Sequence, residues 1–357
     1  MPPFPARHDG AVATPAVPGP VDRLILDESV GLPADRITVL DDPDGHLTAA
    51  VARRSPGATV VVHTDSLRDE RAVAGHCAAQ DVSITVATDL AAAVTDTDLV
   101  LLRLPRSVDA LTETAEVTAR LAAPRVALVG GGRSKHLSHG LNDALARGFG
   151  SVRASLGRDK SRVLHARDRH ADVADRWPRR RTDPELGLVI HAHGGVFAGT
   201  RVDRGTRLLL SVLADRTAPR GPVLDLGCGS GVLAATIARR WPDVPVLASD
   251  VSAAAVASAA LTTGGAVRCR RADGLTDWGP ESLGAIVTNP PFHVGAAKDS
   301  TPTMRMIADA GRVLRPGGEL FMVYNAHLPY LPRLRRVGPT RIVARDRHYV
   351  VTHTVRD

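Results

Sequence analysis

From about Arg36 onward, short apolar runs rich in β-branched residues alternate with alanine-rich stretches whose apolar positions recur at helical spacing. That rhythm predicts a parallel sheet covered by helices on both faces. The first series of expected strands is Ile37–Leu40, Thr59–His63, Ser83–Ala87, Leu99–Leu102 and Arg125–Val129. The rhythm stops between Arg158 and Asp183, where Arg, Asp and His accumulate around Arg176-Trp177-Pro178-Arg179-Arg180-Arg181, and an exposed linker is expected there. A second series follows at Pro222–Leu226, Val246–Ser249, Ala266–Arg270, Ala285–Thr288 and Glu319–Tyr324, with two more strands near Arg341–Ala344 and Tyr349–Thr354.

The two series match each other. Val39 to Gly45 runs into Ala52-Arg53-Arg54, as Val223 to Gly231 runs into Ala238-Arg239-Arg240. Asp41, Asp65 and Asp89 follow one another at nearly the same separations as Asp225, Asp250 and Asp273, and Arg103-Leu104-Pro105-Arg106 falls opposite Asn289-Pro290-Pro291-Phe292. The expected architecture is α/β, with two tandem doubly wound Rossmann-like domains of which the first is a degenerate copy. The expected boundaries are a disordered tail over 1–20, the degenerate domain over 21–157, a linker over 158–183 and the intact domain over 184–357. In the first copy the glycine turn reads as shortened by two positions, with Gly45 alone remaining opposite Gly231, so that copy is expected to be catalytically dead.

Composition adds a partner class. The formal charge is +7 with pI near 10.0, and Lys135, Lys160 and Lys298 are the sole lysines, so the positive charge is carried almost entirely by arginine. Guanidinium groups grip phosphate through a bidentate fork, which favours a polyanionic partner. Cys77, Cys228 and Cys269 lack metal-ligand spacing, so no metal is expected and a reducing cytoplasm is the simplest setting. The Pro-, Ala- and Gly-rich start lacks the basic and apolar segments of a signal peptide, and no apolar run suits a membrane span, so a cytoplasmic monomer is expected.

The candidate chemistry lies in the second half. Asn289 and Pro290 follow an apolar strand and are held extended by the prolines, which makes the Asn side chain and the Pro290 carbonyl available to grip a planar group bearing NH2, with Phe292 as a stacking face. A simple proline turn is the alternative. Asp225-Leu226-Gly227-Cys228-Gly229-Ser230-Gly231 is an apolar strand end with a glycine turn running into a helix, a form that dinucleotide sites also use. Asp225 stands where an amino-acid ammonium could be held, and the absence of a Gly-Lys-Ser/Thr continuation disfavours a phosphate-cradling loop. Asp250, ending the next strand, suits paired ribose hydroxyls, or equally a helix cap with Ser252; Asp273 suits an adenine amino group, or a turn. All lie on the ligand-binding edge of a doubly wound sheet.

On these residues the second half resembles class I S-adenosylmethionine-dependent methyltransferases. With His293, Gly194-Gly195-Val196-Phe197, Asp203-Arg204-Gly205 and Asn325-Ala326-His327-Leu328-Pro329-Tyr330 it is similar to the ribosomal RNA guanine-N2 methyltransferases of the RsmC and RlmG type. Gly131 to His136 extends the resemblance more weakly to the first half, because members carry a degenerate amino-terminal copy of the catalytic domain. The resemblance implies S-adenosylmethionine as cofactor, held by Asp225, Gly227, Cys228, Gly229, Gly231, Asp250, Val251, Asp273, Gly274, Asn289 and Phe197. It implies methyl transfer at Asn289, Pro290, Pro291 and Phe292. Beside it, His293 either contacts the base or, as favoured, caps the loop; Asn325 ends the fifth strand and so faces the target; and Arg133 and Lys135 suit RNA phosphate contacts or, equally, a solvated scaffold surface. The implied substrate is a guanine N2 of ribosomal RNA, naked or in an assembling subunit, with the small-subunit RNA favoured. The rivals are an N-methyltransferase for protein glutamine or adenine, and a non-catalytic RNA-binding assembly factor.

Overall fold

The computed structural model describes residues 17–290 and 301–357. The first half comprises α1 (Pro20–Glu28), β1 (Arg36–Leu40), α2 (His46–Arg54), β2 (Thr59–His63), α3 (Leu67–Ala79), β3 (Thr85–Val86), α4 (Leu90–Val94), β4 (Leu99–Arg103), α5 (Val108–Leu121), β5 (Ala127–Arg133), α6 (His139–Ala146), β6 (Phe149–Ala154) and β7 (Ser161–Arg169). A hairpin of β8 (Arg179–Asp183) and β9 (Leu188–Ala192) precedes the second half. That half contains α7 (Arg204–Ala214), β10 (Val223–Leu226), α8 (Val232–Arg240), β11 (Val246–Asp250), α9 (Ala253–Thr262), β12 (Arg268–Arg271), β13 (Leu283–Thr288), α10 (Thr301–Val313), β14 (Leu314–Asn325), α11 (Leu331–Leu334), β15 (Thr340–Arg345) and β16 (Tyr349–Val355).

Both halves form seven-stranded sheets of one topology, β3-β2-β1-β4-β5-β7-β6 and β12-β11-β10-β13-β14-β16-β15. Successive strand residues face opposite sides, so each apolar strand feeds two cores. Ile37 and Val39 pack under α1 to α3, whereas Leu40 packs under α4 and α5. Val223 packs under α7 and α8, whereas Leu224 and Leu226 pack with α10.

Two expectations change. The stretch 158–183 is not linker throughout, since it contains β7 and β8. Polar composition hid β7 because Arg162, Arg167 and Asp168 face solvent while polar Ser161 is buried beside Val163, Leu164 and Ala166, which blurs the apolar pattern. Trp177 also leaves the surface, its Nε1 donating to Glu116 of α5 at 2.8 Å. Of the tail expected over 1–20, residues 1–16 lie outside the described residues, and Pro20 already begins α1.

The second correction concerns the register of the duplication. Leu40 pairs with His63 and Leu102, and Leu226 with Ser249 and Thr288, so Leu40 and Leu226 are equivalent. Asp41-Asp42-Pro43-Asp44-Gly45 therefore lies opposite Gly227-Cys228-Gly229-Ser230-Gly231 with no shortening. Asp41 and Gly227 share a positive φ, 55° and 73°, and donate alike to the carbonyls of His63 and Ser249. Asp65 stands opposite Val251, one position past Asp250, whose equivalent is Thr64; Asp89 likewise stands opposite Ala272. The equal spacing of the acids is thus not an equivalence of position. Arg103 does stand opposite Asn289.

One glycine survives in both halves for a packing reason. Gly45 and Gly231 begin α2 and α8 in the left-handed region. A Cβ on Gly231 would come within 2.7 Å of the Ala259 backbone, and one on Gly45 within 2.9 Å of His76. Gly231→Ala and Gly45→Ala are each expected to destabilise by about 1–3 kcal/mol, from backbone strain and overpacking. Gly57→Ala, which meets nothing within 4 Å, is expected to change stability by less than about 0.5 kcal/mol. Denaturant midpoints of the three variants check this contrast.

Candidate active site

The carboxyl edge of the second sheet gathers the candidate residues. Gly227 and Gly229 occupy the turn after β10 at φ 73° and 51°, and an added Cβ at either would meet nothing within 4 Å. Their bare backbone faces open space, the arrangement a closely approaching ligand requires. Gly231 does not share this role, since it packs α8 against α9. A cavity of about 50 Å³ runs from this turn to Asn289, lined also by Cys228, Phe197, Asp203, Thr206 and Arg201. A larger cavity, about 920 Å³, lies between the halves and includes neither the glycine turn nor Asn289. Convergent polar groups, not size, mark the candidate site.

Asn289 is fixed by chemistry that leaves no ambiguity about its amide. The Asp203 side chain caps α7, its Oδ2 accepting from the N–H groups of Gly205 at 2.8 Å and Thr206 at 3.3 Å. The same oxygen accepts from Asn289 Nδ2 at 3.1 Å, and Thr206 Oγ1 is 3.0 Å from that nitrogen. An ionised carboxylate can only accept, so the amide nitrogen must face Asp203. Asn289 Oδ1 is left as a buried acceptor with no partner among the described residues. Such an atom is costly unless a donor arrives. The sequence reading missed Thr206, although its position three residues after the capping Asp203 was the available signal.

Around the turn the acids are partly engaged. Asp250 accepts from Gly229 N–H and Ser252 N–H, both at 3.0 Å, so each oxygen retains further acceptor capacity; burial raises its pKa against these hydrogen bonds. Asp250 thus braces the start of α9 through Ser252, which is itself the helix cap, and its remaining acceptor capacity is open to a ligand. Asp225 is fully buried and does not line the cavity: Oδ2 accepts from Ala234 N–H of α8 at 2.9 Å, and Oδ1 has no partner among the described residues. Cys228 also lies beneath the surface, where burial and then the Asp225 and Asp250 charges push its thiol well up, so it is no nucleophile at neutral pH. The concentration of acids suits a cationic ligand such as a sulfonium.

The remaining positions divide. Phe197 is exposed at the cavity mouth. Val251 follows Asp250 and gives its carbonyl to Leu67 of the first half. Asp273 and Gly274 follow β12, outside the small cavity. Asn325 ends β14, beside the strand that leads to Asn289. Arg133 and Lys135 are exposed on the carboxyl edge of the other sheet. Pro291, Phe292 and His293 lie outside the described residues. Among the described residues no group of His, Cys, Asp and Glu could hold a metal, and His193 instead pairs with Glu113 of α5 at 2.5 Å.

The first half lacks this arrangement at each equivalent point. Asp41 and Pro43 replace Gly227 and Gly229, and the proline supplies no N–H. Arg103 replaces Asn289 and is bound by Asp22 of α1 at 2.9 Å. Asp65 Oδ1 accepts from Ala254 N–H at 2.8 Å, capping α9 of the other half.

The chain matches the family described as the methyltransferase small domain over residues 187–353 and the RLMG N-terminal domain over 21–170. It is 32% identical over 333 residues to the ribosomal RNA large subunit methyltransferase G of Streptomyces avermitilis, covering 90% of this chain and 87% of that one. The ribosomal RNA small subunit methyltransferase C of Hahella chejuensis is 40% identical over 166 residues, covering 45% of this chain and 48% of its own. A Thermus thermophilus 16S rRNA N2 methyltransferase, RsmC, solved with AdoMet and guanosine, shares the fold at TM-score 0.78 and 24% identity, covering 95% of this chain and 92% of that one.

A pH prediction follows from Asp225, whose carboxyl is pushed by burial from its ordinary 3.8 up to about 7. A carboxyl raised on folding favours the native state at low pH and loses that contribution as pH rises through the folded value. Asp225→Asn, which keeps an acceptor for Ala234, is therefore expected to flatten the fall in melting temperature between those two values. Parallel wild-type and variant curves would contradict the assignment. The chain belongs to the RlmG/RsmC-type, S-adenosylmethionine-dependent ribosomal RNA methyltransferases.

Proposed function

We propose that this enzyme methylates the exocyclic N2 of a guanine in ribosomal RNA, using the edge from Gly227 to Asn289. The observation that carries the reading is the unpartnered Asn289 Oδ1, held outward by Asp203 and Thr206. A conjugated amine is a poor nucleophile, and an acceptor on its N–H draws density onto nitrogen and fixes its orientation. The cofactor supplies a methyl group on a sulfonium, a leaving group that needs no protonation. A methylated amine would be acidic enough to give up its proton to water, while the Asn289 acceptor keeps its N–H oriented. No strong base is required. Gly227, Gly229 and Asp250 hold the cofactor, and Phe197 covers it.

Which ribosomal subunit supplies the guanine is a finer choice. The sequence reading favoured the small-subunit RNA. The relatives that match this chain along most of its length bear the large-subunit name, and we take the large-subunit RNA as the substrate on that ground. No helix among the described residues is long and apolar enough to cross a membrane, and a cytoplasmic monomer acting on RNA or an assembling subunit accords with the basic charge. Arg133 and Lys135 are suited to phosphate contacts that position RNA without reading its sequence.

Methylated guanines mapped in both ribosomal RNAs, with and without this protein, are expected to differ at one large-subunit N2. Asn289→Ala is expected to lower the transfer rate roughly a hundred- to thousand-fold, as removal of one oriented hydrogen-bonding group does elsewhere. Titration calorimetry should show nearly unchanged S-adenosylmethionine affinity. Methylation at an adenine or on protein glutamine, or full activity in the variant, would overturn the proposal.

A further inference from the structure

The first half touches the cofactor edge of the second through one short segment. After β2, Leu67 N–H donates to the Val251 carbonyl and the Asp65 carbonyl accepts from Ala253 N–H, both at 2.9 Å. Ser66 and Ser252, the capping residues of α3 and α9, form an antiparallel bridge between them. Along α3, Glu70 accepts from Arg271 at 2.7 Å and Arg71 pairs with Asp277 at 3.6 Å. Between them Arg68 reaches Asp273, its Nε donating to Oδ1 at 2.6 Å, with a second guanidinium contact to the same oxygen. Asp273 Oδ2 has no partner among the described residues, and about a quarter of the side chain is exposed.

We propose that Arg68 is a positioning residue contributed in trans by the catalytically dead half: by holding Asp273 Oδ1, it aims Oδ2 at the amino group of the cofactor's adenine. This rests on the reading that Asp273 faces that adenine. A carboxylate on a glycine-flanked turn has free rotation about its side-chain bonds, and Gly274, at φ 61° with nothing within 4 Å of a Cβ, gives it no wall. Two N–H groups on a single oxygen restrict that rotation and leave the second oxygen for the ligand. The guanidinium also offsets the repulsion among the carboxylates gathered at this edge, Asp65 and Asp250 included. Arg271, two residues earlier at the end of β12, is occupied with Glu70 and the Thr64 and Asp65 carbonyls and is not free to take over.

The test is titration calorimetry of the full chain with S-adenosylmethionine and with its analogue lacking the adenine 6-amino group. Arg68→Ala is expected to raise the dissociation constant for S-adenosylmethionine roughly three- to tenfold, within the range of a charge-assisted contact. It should leave the analogue's nearly unchanged, so that discrimination between the two falls. Arg68→Lys should recover part of the discrimination, and kcat at saturating cofactor should stay near wild type. Arg71→Ala removes a neighbouring cation from the same seam and should alter neither affinity. Equal effects of the Arg68 and Arg71 variants would assign Arg68 to docking alone and overturn the proposal, as would wild-type discrimination in Arg68→Ala. Failure of the wild-type chain to discriminate at all would remove the adenine reading of Asp273 and the proposal with it. Wild-type discrimination lost in neither variant would sink the proposal alone.

Discussion

A carboxylate can accept hydrogen bonds and never donate them, and the candidate site depends on that asymmetry at Asp203. One oxygen collects the N–H groups of Gly205, Thr206 and Asn289. Capping α7 and orienting Asn289 are therefore the same act. The helix end supplies partial positive charge that suits a carboxylate cap, and a carboxylate placed there admits a single orientation of the amide. The free acceptor is not a property of asparagine alone but of the helix that precedes the sheet. Tyr349, whose hydroxyl is raised in pKa by burial and then by the Asp203 charge, closes the packing behind this helix turn.

The first half repeats the plan with other residues. Asp22 of α1 binds Arg103 at the position equivalent to Asn289, so an acid on the leading helix again holds the side chain that ends the fourth strand in chain order. An arginine held there offers no acceptor. The capping of the helix after the glycine turn is conserved in physics but not in position: Thr48 N–H is taken by Asp42 Oδ2 at 2.8 Å, whereas Ala234 N–H is taken by Asp225. Asp42 comes from the turn and Asp225 from the strand. What persisted across the duplication is what packing and helix ends demand; what changed is what faced a ligand.

This division explains how much the sequence disclosed. Strands such as Thr59–His63 were legible because they are buried on both faces, and the shared topology followed from their rhythm. β7 was not, because its exposed positions carry arginine and its buried ones are few. The repeat was recognisable, but its register was read from acid-to-acid spacing, and Asp41, Asp65 and Asp89 occupy ladder positions one or two residues from Asp225, Asp250 and Asp273. Only strand pairing could reveal this. Asn289 was visible from its prolines, whereas the orientation of its amide depends on Asp203 and Thr206, more than eighty residues earlier in the chain.

The seam between the halves gives the first half a physical reason to be retained. Leu67 donates to Val251 while Ala253 donates to Asp65, a reciprocal exchange of the kind found where two like units meet about a twofold axis. The turns that meet are the ones following the second strand of each sheet, where a ribose-binding acid would stand. In the second half Asp250 stays available beside the exchange, because its own carboxylate is turned toward Gly229. In the first half the carboxylate of Asp65 is consumed in capping α9. The two acids are not equivalent positions, since Asp65 stands opposite Val251 and Asp250 opposite Thr64: an offset of one residue separates the carboxylate that caps the other half's helix from the one that braces its own glycine turn. That one-residue offset is what allows the first half to brace the second through this turn while the acid of the second half stays with its own glycine turn.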